Sequence, residues 1–160
     1  MYQPSAASEA DERPSRPPAP QSVRAAVKLM YAGAIFSAIG IGINFLGTSG
    51  VKSALHKMHP HYTDAQINSA VSSFFVLGAA IGVISIALWI WMARANGAGK
   101  PWARIVASVL FAFSTLDLLT SILGYGLQPG LILGALIWLA GLGTVVLLWR
   151  KDSSAYFQRI

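Results

Sequence analysis

Four long apolar blocks, parted by short polar pieces, leave a chain like this few ways to fold. They cover about residues 27–46 (VKLMYAGAIFSAIGIGINFL), 69–93, 102–123 and 131–149. A bilayer core of about 30 Å is crossed by about 20 helical residues, so each block is long enough to span. Lipid offers no partner for backbone N–H and C=O groups, and a helix satisfies them within one segment. Composition agrees: 54% of the chain is hydrophobic and 11% is charged, against about 25% charged in an average soluble domain. The expected fold class is therefore all-α, an integral membrane four-helix bundle.

The pieces around the blocks complete the plan. Residues 1–22, MYQPSAASEADERPSRPPAPQS, are rich in proline and poor in large apolar groups. Such a segment buries too little surface to offset its ordering entropy, and a disordered tail is expected. That proline-rich prelude is also wrong for a cleavable signal peptide, so the first block is expected to be a retained span. Residues 23–151 form the membrane domain, and 152–160 a short polar tail.

Helix boundaries are written in the residue types. Thr63-Asp64-Ala65-Gln66 reads as a capping box opening the second span. Asn96 and Gly97 mark its end. Pro101 suits the first position of the third helix, and Gly124, Gly126, Pro129 and Gly130 mark the turn before the fourth.

Lysine and arginine set the expected orientation. One side carries Arg13, Arg16, Arg24, Lys28, Arg94, Lys100, Arg104, Arg150, Lys151 and Arg159, and the other only Lys52 and Lys57. Ten against two places both termini in the cytoplasm of a multi-pass cell-membrane protein. Trp89, Trp91, Trp102 and Trp149 are expected as anchors at the inner interface, Tyr62 and Tyr125 at the outer. The net charge of +6 then reflects topology and contact with anionic headgroups rather than nucleic acid.

Helices in lipid gain little from hydrophobicity when they meet, so close backbone approach matters more. Gly33, Ser37, Gly40, Asn44 and Gly47 fall on one stripe of the first span. Gly130, Gly134, Ile137, Gly141 and Thr144 repeat that rhythm in the fourth, and the second holds Gly78-x-x-x-Gly82. These faces are expected to pack within the bundle, with room left for a partner chain or a second copy.

One acid interrupts the apolar pattern. Asp117 stands in FSTLDLLTS, seven residues before Gly124, about 10 Å inside its helix end. A carboxylate at the centre of a span costs about 3 kcal/mol on insertion scales, so Asp117 is not expected to face lipid while ionised. Ser114, Thr120 and Ser121 lie within one turn of it. Asn44, Ser69, Ser72 and Ser73 occupy similar depths, which predicts an intramembrane polar cluster. Its role is read either as structural or partner-docking, or as the handling of a proton or cation.

Catalytic constellations are absent from the sequence. With no cysteine, disulfides, thiolate metal sites and cysteine nucleophiles are excluded. His56, His59 and His61 form a weak metal candidate whose spacing matches no zinc-enzyme motif, and Pro60 interrupts the local helix. Their expected setting is an exposed interfacial loop, with VKSALHKM as a short amphipathic helix on the outer headgroups. Neither a P-loop nor a nucleophile elbow is present, so no cofactor and no enzymatic role is expected.

Three stretches carry a resemblance: PQSVRAAVKLMYAGA after the proline-rich tail, KPWARIVASVL entering the third span, and LLWRKDSSAYF at the C-terminus. The helical part resembles a group of small four-span membrane proteins common in actinobacteria. The resemblance implies the topology and no particular activity. The leading expectation is a non-enzymatic accessory, scaffolding or assembly subunit. Its partners would be the lipid bilayer and another membrane protein or a second copy. The alternative is a small transporter or proton-handling protein that uses Asp117.

Overall fold

A computed structural model describes residues 18–46, 48–125 and 130–158. Those residues form six helices and no strand: α1 Gln21–Leu46, α2 Thr48–Met58, α3 Asp64–Gly97, α4 Pro101–Tyr125, α5 Gly130–Leu148 and α6 Lys151–Gln158. Helices α1, α3, α4 and α5 are each long and apolar enough to cross a membrane. The protein is an all-α, multi-pass membrane protein. At 34 residues, α3 is about 51 Å long, well beyond a bilayer core of about 30 Å.

The caps follow the local chemistry. Thr63 is extended and caps α3; its hydroxyl accepts from the Gln66 amide at 3.3 Å, and the Gln66 side chain accepts the Thr63 amide at 2.9 Å. Asp64 adds a negative charge to the positive helix end. At the other end of α3 the chain turns through Gly99, at a left-handed φ of 71° that only glycine adopts without cost. Pro101 then opens α4. Helix α2 stops at Met58, two residues before Pro60.

Two boundaries differ from expectation. Helix α1 begins at Gln21, six residues before the apolar block. The segment read as a short tail contains α6, because Ser153 and Phe157 lie four apart and turn to one face. Both are buried, at 0% and 2% exposure. Most of the tail expected over residues 1–22 lies outside the described residues.

Helix α1 is the centre of the arrangement, packed on α3 along one side and on α5 along the other. Helix α4 packs on α5 and meets α3 only lightly. The order in space is therefore α3–α1–α5–α4, an arc with its gap between α3 and α4. Glycines permit the close contacts. A Cβ at Gly33 would lie 2.7 Å from the Trp89 ring, and one at Gly82 would lie 2.5 Å from Ile41. Trp89, expected at the interface, thus packs inward across α1. Gly143, outside the stripes read from the sequence, takes Leu29, while Gly141 takes Phe111 and Gly40 takes Leu133. Ser37 is buried, its hydroxyl donating to the Gly33 carbonyl at 2.9 Å.

Helices α4 and α5 are tied by indoles. Trp138 Nε1 donates to Thr115 Oγ1 and Trp149 Nε1 to Ser108 Oγ, each at 2.9 Å. The principal buried cluster lies at the α6 end: Val23, Ala26, Met30, Met92, Ala103, Leu148 and Phe157 belong to it. There Ser153 Oγ is hydrogen-bonded to Ser22 Oγ at 2.8 Å, and Tyr156 donates to the Gly97 carbonyl at 3.2 Å. The Arg104 guanidinium lies over Trp149 at 4.8 Å and over Phe157 at 5.7 Å.

Candidate functional site

The gap between α3 and α4 is where Asp117 sits. Because α4 leans on α5 and away from α3, an open cavity of about 400 Å³ remains on the α2 half of the bundle. Its floor is Ser37, Gly40 and Ile41 of α1. Gly78, Gly82 and Ser85 of α3 form one wall, and Ile137 of α5 and Asp117 of α4 complete it. Asp117 lies eight residues before the end of α4, about 12 Å along the helix. Among the described residues its carboxylate has no hydrogen-bond or ion-pair partner.

The neighbours expected to surround it are only partly assembled. Thr120 donates to the backbone carbonyl of Asp117 at 2.9 Å, not to the carboxylate. Ser114, one turn away, lines the adjoining chamber described below. Ser121 is half-buried, while Ser69, Ser72 and Ser73 are exposed on α3 outside the cleft lining. The side chain of Asn44 lies outside the described residues. In place of these groups the structure brings Ser37 and Ser85 to the cleft. Ser85 was legible: Gly78, Gly82 and Ser85 continue the four-then-three spacing of a single helix face.

Of the small residues named from the sequence, Gly33, Ser37, Gly40, Gly82 and Gly141 meet a neighbouring helix or a buried setting. Gly78 and Gly134 do not: nothing lies within 4 Å of a Cβ placed on either. The surroundings of Gly130 and Gly47 lie outside the described residues. Gly78 is therefore a bare strip of backbone on the wall opposite Asp117.

A second cavity of about 190 Å³ lies toward the α6 end, lined by Leu88, Trp89, Met92, Leu110, Phe111 and Thr144 among others. Ser85 and Ile137 line both cavities, so the two meet there. Thr144 is 2% exposed and its Oγ1 has no hydrogen-bond partner among the described residues. Ser37, Ser108 and Thr115 each donate to the carbonyl one turn back, the usual resort of a hydroxyl inside a helix. Thr144 does not, and a buried hydroxyl left unpaired costs about 1–3 kcal/mol.

The histidines are engaged elsewhere. His56 Nε2 lies 3.3 Å from Asp64 Oδ1, joining α2 to the start of α3. The His59 ring stacks on Tyr62 at 4.6 Å between centroids. His61 is exposed. Among the described residues no three metal-ligating side chains stand together.

The chemistry on offer at the cleft is that of a single acid facing a laterally open, mostly apolar space with hydroxyls behind it. Such a site can bind a cation or a hydrogen-bond donor, or exchange a proton; it holds no nucleophile paired with a base. Compared with known proteins, the chain matches no family model, no curated protein and no solved structure.

Proposed function

We propose that the protein is a non-enzymatic accessory or assembly subunit of a membrane complex. A transmembrane helix of another protein lies across the α3–α4 cleft and presents a donor to Asp117. The observation that carries this reading is the unpartnered carboxylate of Asp117 opposite the uncovered backbone of Gly78. A carboxylate at membrane depth is stabilised by a cation or donor, and a bare glycine face lets a second backbone approach closely. The lysine and arginine distribution supports placing the α6 end and both termini in the cytoplasm, with the cleft in the outer leaflet of the cell membrane. A second copy is the less suitable partner, since its basic residues lie outside the middle of the spans.

The absence of cysteine makes the test direct. Single cysteines at Gly78 and Ile81 are cross-linked in native membranes, and the products are purified in mild detergent and identified by mass spectrometry. The expected result is one membrane protein trapped from these positions, its recovery falling about tenfold with Asp117→Asn if the charged pair carries the contact. Isolation of the chain alone, with no cross-linked partner, would end the proposal.

The adjoining cavities support a second reading, a small transporter that passes a cation or proton by way of Asp117. Flux through purified protein in liposomes, abolished by Asp117→Asn, would favour it over docking.

A further inference from the structure

The chamber behind the cleft plays no part in the docking reading, and two groups around it lack partners among the described residues. Asp117 carries an unpaired carboxylate at the mouth. Thr144 carries an unpaired hydroxyl in the chamber wall, 98% removed from solvent by its 2% exposure. Between them the lining is apolar apart from Ser37, Ser85 and Ser114. We propose that cleft and chamber together form a lateral binding site for a hydrophobic amine. Its ammonium group lies beside Asp117, and its apolar body passes Ser85 and Ile137 into the chamber.

The chemistry selects this class over others. An alkane would leave the carboxylate unpaired in an apolar setting, and a fatty acid would set like charges side by side. Among the described residues no lysine or arginine forms an ion pair with Asp117. Trp89 and Phe111 offer flat apolar walls, and Met30 and Met92 adapt to irregular shapes. The cleft opens sideways between two spanning helices, where amphiphiles dissolved in the membrane have access. Thr144 adds a preference for an amine whose far end carries a hydroxyl, because only such a group uses the unpaired Oγ1.

The test uses the full chain in neutral-lipid nanodiscs, with empty nanodiscs as the baseline. Calorimetric binding of dodecylamine, dodecanoic acid and aminododecanol is measured. The expected result is saturable binding of both amines and none of the acid above baseline. Asp117→Asn weakens the amines by about tenfold. Thr144→Val leaves dodecylamine unchanged and removes an advantage of about three- to tenfold held by aminododecanol. Ile137→Trp fills the junction and abolishes binding; Ser85→Leu does the same from the opposite wall and serves if the tryptophan variant does not fold. Equal uptake of amine and acid, or amine binding unchanged in Asp117→Asn, is partition into lipid and overturns the proposal. Amine binding that survives both junction variants overturns the chamber's part in it. A partner that still cross-links to Ile137→Trp protein separates this inference from the docking reading; where both hold, partner and amine compete for Asp117.

Discussion

The two ends of this bundle are built on different terms. At the α6 end, alanines at positions 26, 93, 95, 103 and 107 let the helices close around Met30, Leu148 and Phe157. Helix α6 folds across the base, and hydrogen bonds link it to α1 and to the last residue of α3. At the α2 end, Ile67 and Phe75 are the buried apolar side chains of α3, and the arc of helices stays open between α3 and α4. The closed end has the marks of a structural base. The open end retains an unpaired acid and a bare glycine, which is what an intramembrane recognition surface requires.

Substitutions at the two ends test this contrast, and the largest effect is expected at the base. Phe157→Ala removes a side chain only 2% exposed and should lower unfolding stability by about 3–5 kcal/mol, read from reversible denaturation in detergent. A loss below about 1 kcal/mol would mean that α6 is peripheral and the contrast is misdrawn.

Next comes a matched pair of glycines. Gly33→Ala drives a methyl group into the Trp89 ring and should cost about 1–3 kcal/mol by overpacking. Gly78→Ala meets nothing; its stability should be unchanged or slightly raised through helix propensity. Equal losses in the two variants would show the cleft to be closed. A smaller effect belongs to Thr63→Ala, which should cost about 1 kcal/mol by removing the cap of α3. Hydrogen exchange confined to the first turn of α3 is its readout.

The smallest loss expected is at the α4–α5 seam. Trp138→Phe deletes the bond to Thr115 and should cost about 0.6 kcal/mol, the usual yield of such bonds between membrane helices. The coupling is isolated by a double-mutant cycle with Thr115→Ala. A much larger value would identify the seam, rather than the base, as what holds α4 in place and the cleft open.

Much of the frame was legible because it rests on local chemistry. The Thr63 capping box, the entry at Pro101 and the break near Pro60 each depend on residues within one turn of one another. Helix α6 escaped notice because KDSSAYFQ is short and polar on average; its Ser153–Phe157 face acquires meaning only when a bundle base lies above it. The candidate site was half legible. Asp117 is conspicuous in an apolar run, and the Gly78–Gly82–Ser85 face was there to extend. The hydroxyls of Ser72, Ser73 and Thr120 matched Asp117 in depth, but depth leaves open which way a helix is turned.

What the sequence determined by itself is the set of rods: four apolar segments, most of their ends, and the gathering of positive charge toward one end. Each is decided within a single segment, by apolar length and by backbone groups that must be satisfied without water. Tertiary structure alone decided the order α3–α1–α5–α4, the covering of Gly33 and Gly82 beside the exposure of Gly78, and the unpaired Thr144 behind Asp117. Lipid solvates an apolar helix as well as a neighbouring helix does, so hydrophobicity does not choose neighbours or rotation. That choice falls to packing between particular side chains, and packing exists only once the helices have met.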